Sequence, residues 1–484
     1  MNNENGDVTT DKPKRIHDQA PSELFSNFMK SGWAPSHLEN LQPLEVVTYA
    51  YSRRQTLSAA FKGIRLVLPA GGYKVRANDT DYNYRPHSAF VYYSGVQGSD
   101  ATADAVLVLE PSGDSHITYL YMNPRSTRDT DAFYRDAKYG ELWVGRRFTL
   151  DEAKSCYQID TKHLSELSQL LEDGKETLTL RGVDATVDKC VKQHEREEEF
   201  TIFVSEQRLC KDDYEIRELQ AAVDATALGF NDVISAIPAA VETPRGERVL
   251  DAAFYGRARI LGNDLGYNTI VGAGSHACVL HWIRNDGNVR RGELVLVDAG
   301  VERESFYTAD ITRTLPVDGK FTPAQRALYM LVYESQLAGF AAVKPGVLFS
   351  DINKACQAVL ARGLADMGVL TVSAEESLKP EVGLHRRWTL HGVSHHLGLD
   401  VHDCAQARKE MYLDAPLCEG MVLTVEPGLY IQPDDELFAP EYRGIGIRIE
   451  DDVMVTADGC RNLSEDIPRH PDDIEKWMKR ILGR

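Results

Sequence analysis

Residues 292–300 read G-E-L-V-L-V-D-A-G, and residues 420–428 read G-M-V-L-T-V-E-P-G. The two stretches share one plan: a Gly, a short apolar run, a carboxylate, a small residue or Pro, and a closing Gly. Apolar runs of this length bounded by Gly have the pattern of a fully buried strand. Asp298 and Glu426 therefore each end a strand in the interior, where an unpaired anion is costly. A cation is expected beside each, and one structural unit is used twice.

Each of these strands is followed by a second strand-like segment with its own acid, Asp310 in A-D-I-T-R-T (309–314) and Glu450 in G-I-G-I-R-I-E-D-D (444–452). Four carboxylates converging on one cleft repel one another by ~4 kcal/mol per close pair at an effective dielectric of 20. Some would stay protonated unless cations neutralised them. Two divalent ions balance four negative charges, and His395 completes a mainly oxygen ligand set of the kind that suits Mn, Co, Fe or Zn. Arg448 and Glu450 are two apart and so face one side of a strand, which puts the guanidinium beside the carboxylate as a supporting partner. The same alternation sets Thr312 where its hydroxyl can orient Asp310. His391 and His395, four apart, are expected to reach one cleft, while Gly392 and Gly398 argue against a helix between them.

The stretches V-D-A-G-V-E (297–302), A-D-I-T-R-T-L-P-V-D-G-K-F (309–321), H-G-V-S-H-H-L-G-L-D-V-H-D (391–403), T-V-E-P-G-L-Y-I (424–431) and Y-R-G-I-G-I-R-I-E-D-D (442–452) resemble, in order, the signatures of the proline-specific pita-bread metallopeptidases, most closely aminopeptidase P. N-D-T-D-Y-N-Y-R-P-H-S-A-F-V-Y-Y-S-G (78–95) and E-L-W-V-G-R-R (141–147) resemble that family's N-terminal domain more weakly. The resemblance implies hydrolysis of the Xaa-Pro bond with release of the first residue, by two divalent ions per chain, Mn2+ foremost, with Co2+, Zn2+ or Fe2+ as alternatives. It implies that Asp298 and Asp310 hold one ion, that Asp310, His395, Glu426 and Glu450 hold the other, and that Asp310 and Glu450 bridge them. Glu426 is then the group that takes and returns the proton. His281, His391 and His402 line the substrate pocket, with His402 stabilising the tetrahedral intermediate. Tyr430 and Arg448 match a proton relay that ends on an Asp of the N-terminal domain, here Asp79.

Two positions depart from the family pattern. Ala309 stands where relatives commonly have Gly, and Val91 where they often have a Trp bordering the active site. Two other readings compete: prolidase, which cuts only Xaa-Pro dipeptides, and a pita-bread fold that has lost its metals and serves as a binding module. Retention of all five ligands weighs against the second.

The chain of 484 residues carries a net charge of −19 and no basic stripe, so its field repels nucleic acid and anionic membrane. No apolar stretch approaches the roughly 18 residues of a membrane span, and the start lacks the apolar core of a signal peptide. A cytoplasmic protein that acts on peptides is expected, and the resemblance adds a homo-oligomer, dimer or tetramer. The eight cysteines show no C-x-x-C pairs, so neither a disulfide framework nor a zinc knuckle is indicated.

Two domains are expected: an α/β domain over 1–211 and an α+β pita-bread catalytic domain with pseudo-two-fold duplicated halves over 212–484. In the first, L-V-L-P (66–69), A-V-L-V-L-E (105–110) and I-T-Y-L-Y-M (117–122) read as strands, and H-L-S-E-L-S-Q-L-L-E (163–172) reads as a helix. Residues 1–20 are polar and expected to be mobile.

Overall fold

The computed structural model describes residues 21–483; the polar stretch expected to be mobile lies outside the described residues. The N-terminal half is built on a five-stranded mixed sheet with spatial order Asp160–His163, Ser115–Met122, Val106–Ser112, Arg65–Pro69, Thr177–Thr179. The central strands pair antiparallel and the two outer ones join parallel to their neighbours. All three strands read from the sequence are present. Residues 163–172 differ from the expected helix: the chain leaves a strand at His163, makes a 3-10 turn over Leu164–Glu166, and is α-helical only over Leu167–Leu171. His163 and Glu166 cap that turn from both sides, and edge pairing with Ser115–Met122 outweighs the helical spacing.

The C-terminal half shows the duplication. Helices Asp213–Glu242 and Gly246–Leu261 precede the antiparallel strands Leu294–Ala299 and Ile311–Pro316. Helices Pro323–Ala342 and Phe349–Asp366 precede Val422–Val425 and Asp451–Val455. The two leading glycines, Gly292 and Gly420, have φ of 83° and 87°, left-handed values that glycine adopts without the Cβ clash of other residues. Each stands two residues before a strand whose residues are all buried.

The halves are joined at their second strands. The Glu450 amide donates to the Thr312 carbonyl, and the Thr314 hydroxyl bonds the Arg448 carbonyl at 2.9 Å. Behind this seam lies a fully buried ion pair, Arg313 to Asp451 at 2.7 Å. Arg313 also donates to the carbonyls of Glu450, Pro468 and Ile467, and Asp451 accepts from Ser464 and Gln336. Arg313→Met leaves the buried Asp451 charge with only the more distant Arg469, at 3.8 Å, so a loss of about 3 kcal/mol in stability is expected, read as a shift of the denaturant midpoint. A midpoint within experimental error of the parent would contradict this account of the seam.

Candidate active site

The four acids and the imidazole arrive from different elements and meet in one cavity. Asp298 is the fifth residue of Leu294–Ala299, Asp310 directly precedes Ile311–Pro316, and Glu426 directly follows Val422–Val425. His395 lies on a segment without helix or strand, held by two bonds to Thr424: its amide donates to the hydroxyl at 3.2 Å and its carbonyl accepts from the amide. Together with His281, His391, His402 and Arg448 these residues line a cavity of about 640 Å³. A second cleft, about 760 Å³, has Glu293, Glu441 and Arg443 as its charged lining and no histidine.

Ligand atoms of Asp310, His395 and Glu450 lie within 4.8 Å of one another. His395 Nε2 is 3.3 Å from Asp310 and 3.5 Å from Glu426. Its Nδ1 faces the His396 carbonyl at 3.2 Å, the outer bond that fixes a metal-ligating ring and leaves Nε2 free.

The electrostatics show what the site can hold. Burial raises Asp310 above the ordinary carboxylate range, and repulsion from Asp298 adds to it. Glu450 rises for the same reasons, with Asp310 and Glu426 as its neighbours. Burial pushes Glu426 up to about 7, against the pull of His395 and with the push of Asp310. For His395, burial opposes the charged ring, yet the hydrogen bond to Asp310 and the charges of Glu426 and Asp310 outweigh it and raise the ring to about 9. A further acid, Asp452, accepts from the Asp310 amide at 3.1 Å and is raised by burial and by Asp310; its other oxygen is buried without a partner. Groups that crowd charge of one sign and retain protons in compensation are those a divalent cation would stabilise. The donor set, carboxylate oxygens and one imidazole, fits such ions.

Several neighbours differ from the sequence reading. Arg448 makes no direct bond to Glu450, although its charge acts on that carboxylate: its Nη2 donates to Asp298 at 2.5 Å, its Nη1 to Tyr430 at 2.9 Å and its Nε to Thr312 at 3.1 Å. The strand Gly446–Arg448 ends at Arg448 and a new one begins at Asp451, so the alternation between 448 and 450 is broken. Thr312 donates to Glu450 at 2.6 Å instead of to Asp310, because strand pairing brings Glu450 against it. The phenol of Tyr267 bonds both Asp298 (2.6 Å) and Asp310 (2.5 Å). It was missed in the sequence, where G-Y-N-T-I (266–270) carries no local sign of a contact with either acid.

His391 stands at 2.7 Å from the Tyr430 hydroxyl and 3.5 Å from Glu426, and burial, then Arg448, lowers it to about 4. His402 is exposed at the cavity edge with its ring edge-on to His395, centroids 4.5 Å apart. The chain joins Arg448, Tyr430 and His391 in sequence, but Asp79 lies on an exposed hairpin, Val75–Ala77 with Thr80–Asp81, and is not among the Arg448 partners within the chain. Val91 is buried in the N-terminal core and does not line the cavity. Ala309 is buried and its carbonyl lies against Gly300, so the departure from Gly is absorbed beside the carboxylate strand.

Comparison with protein-family models matches residues 217–457 to metallopeptidase family M24 and residues 50–179 to the aminopeptidase P N-terminal domain. Among named proteins, Xaa-Pro aminopeptidase 1 of Streptomyces coelicolor is 49% identical over 465 residues, covering 95% of this chain and 93% of that one. The Xaa-Pro aminopeptidase of Escherichia coli is 34% identical over 88% of this chain and 96% of its own length. Among solved structures, aminopeptidase P from E. coli with the inhibitor Pro-Leu is similar with a TM-score of 0.79 at 32% identity, over 92% of this chain and all of that one. A zinc-substituted form of the same enzyme in complex with product has a TM-score of 0.78.

Proposed function

The chain belongs to metallopeptidase family M24 and is an enzyme of the Xaa-Pro aminopeptidase class, and from that premise we propose that it uses two divalent metal ions to release the first residue of peptides whose second residue is proline. The observation that carries the proposal is the convergence of Asp310, His395 and Glu450 ligand atoms in a cavity that also holds Asp298, Glu426 and three further histidines. In this reading Asp298 and Asp310 hold one ion, and Asp310, His395, Glu426 and Glu450 hold the other. Bound there, the ions supply Lewis-acid polarisation of the scissile carbonyl and ionisation of water near neutral pH.

The remaining steps belong to the chain. Glu426 accepts the proton that the attacking water gives up and returns it to the prolyl nitrogen as the bond breaks. His402 and His281, both exposed at the cavity, meet the peptide around the reacting carbonyl, with His402 donating to the developing oxyanion. Leu280, Ile283 and Val401 give the cavity an apolar side suited to a proline ring. Arg448, shared between Asp298 and Tyr430, orients both and connects them to His391. In this reading the relay reaches Asp79 across a subunit contact in a homo-oligomer, since the Arg448 bonds within the chain go to Asp298, Tyr430 and Thr312. Mn2+ as the ion, the cytoplasm as the compartment and a division into domains near residue 211 complete the proposal.

Aminopeptidase action is favoured over prolidase action by the state of the arginines. A dipeptidase must bind the proline carboxylate and exclude a continuing chain. Arg448 is the one Lys or Arg lining the described cavity, and it is occupied by Asp298. Arg146 is bound to Glu152, and Arg147 to the carbonyls of Pro124 and Tyr139. The test is kcat/KM for an Xaa-Pro dipeptide against the matching Xaa-Pro-Yaa tripeptide and a longer peptide. A preference of about tenfold or more for the longer substrates is expected, ~1.4 kcal/mol in the transition state; a strong dipeptide preference would assign prolidase instead.

A further inference from the structure

The segment from His395 to Cys404 carries two of the cavity's imidazoles on backbone that is neither helix nor strand. Something outside it must fix its shape, and among the described residues no hydrogen bond holds the His402 ring itself. What holds the segment is a buried charge cluster at the junction of the two halves. Asp403 is buried, and its carboxylate takes Lys211 Nζ at 2.9 Å and faces Arg208 Nη2 at 3.2 Å. The Lys211 side chain has no exposure and gives another proton to the Arg208 carbonyl at 2.5 Å. Arg208 also reaches Asp400 at 3.2 Å, and Asp400 accepts from Ser88 at 2.5 Å. Arg85 donates to Glu302 at 2.6 Å and to the Leu399 carbonyl.

The backbone closes around this cluster. The Asp403 amide donates to the His396 carbonyl at 2.9 Å, and the Thr308 amide to the Gly398 carbonyl at 3.1 Å. A Cβ at Gly398 would fall on the Asp403 carboxylate and 3.0 Å from Lys211 Nζ, so the segment lies flat against the ion pair. Burial works against the Asp403 charge, but Arg208 and Lys211 overcome it, so the pair persists as ions. Arg208 and Lys211 lie in residues 180–216, between the two family-model matches.

We propose that Asp403 is a positioning residue for His402, anchored by Lys211 and Arg208, so that the segment linking the halves sets the orientation of a histidine in the cavity. The inference rests on the reading that His402 meets the substrate. A buried ion pair is weak evidence of stabilisation, since apolar replacements of similar volume are often equally stable. This one is placed where small shifts matter, because a displacement of about 1 Å in a reacting constellation costs up to about 100-fold in rate.

The test is a kinetic cycle on an Xaa-Pro-Yaa tripeptide with the metal-loaded full chain. The variants are Asp403→Asn, Lys211→Met and the charge-free pair Lys211→Met/Asp403→Asn, each with and without His402→Ala. The pair variant removes the Lys211 and Asp403 charges together and leaves Arg208 paired with Asp400, so it carries the test if a single variant unfolds. A fall in kcat of about 10- to 100-fold with KM within about threefold is expected, with metal content and unfolding midpoint of the pair variant close to the parent. In the His402→Ala background the same substitutions should cost nothing further, since residues acting as a unit are non-additive. Full multiplication of the two losses, or parent-like kcat in the folded pair variant, would reduce the cluster to a structural role. If His402→Ala alone keeps parent-like kcat, the reading of His402 fails, and that result is separate from the cycle.

Discussion

Stripping divalent ions with a chelator abolishes peptide hydrolysis and lowers the melting temperature, and the drop in melting temperature grows as the pH rises. The direction follows from the site. Without cations, burial and mutual repulsion raise Glu426 from 4.5 to about 7, so the folded chain keeps a proton that the unfolded chain has released. A raised carboxylate leaves stability intact below about 4.5 and removes it as the pH passes 7. His395 acts in the same direction: it is raised from 6.5 to about 9, and its contribution is complete below 6.5 and lost as the pH rises through 9. Asp310 and Glu450, raised by burial first, add to the carboxylate part. The metal-free chain therefore weakens between about pH 4.5 and 9. Divalent ions displace those protons and stabilise the fold by mass action, with Mn2+ or Co2+ restoring activity. The measurements are metal analysis approaching two ions per chain, and melting curves with and without chelator across that pH range. Full activity in a preparation shown to be free of metal would overturn the proposed chemistry, and a pH-independent gap between the melting curves would overturn the charge account.

The parts of this site that were legible in the sequence are those whose chemistry is local. Asp298 and Glu426 announce themselves because Gly, apolar run and acid follow one another within a single strand, and the structure ends both strands where the pattern does. The strands around Leu66, Leu107 and Leu120 were legible because their apolar runs are likewise local in the chain. Tyr267 was not, because its bonds to Asp298 and Asp310 cross between elements far apart in the chain and leave no periodic trace. Nor was Asp452, which the E-D-D run presents as one acid among three until strand pairing turns it toward the Asp310 amide. Thr312 and Arg448 found partners other than those expected because alternation along a strand says nothing about a break in it. Once the chain bends between Arg448 and Asp451, seam pairing brings Glu450 to Thr312 and leaves Arg448 for Asp298. Asp79 stands apart: it lies on an exposed hairpin and is not among the bonded partners of Arg448.

Glu426→Gln gives the second large effect: a fall in kcat of about 10³-fold or more, at the upper part of the range for removing a general acid–base group, with the chain folded. The substitution preserves shape, since Gln matches Glu in length, and the Glu426 amide bond to the Val393 carbonyl does not involve the side chain. It removes two functions together. The amide cannot take a proton from the attacking water, and it subtracts one negative charge from the set that would hold the second ion. His391 at 3.5 Å and Thr424 at 3.4 Å keep the Glu426 oxygens directed. The two functions separate experimentally: metal content measured on the variant reports the ligand role, and kcat at saturating metal reports the proton role. A variant that binds two ions with parent-like affinity and still loses kcat identifies Glu426 as the proton carrier. A variant that keeps near-parent turnover with full metal content would move the proton transfer to another group, and His391, next to Glu426 and bonded to Tyr430, would be the first to test.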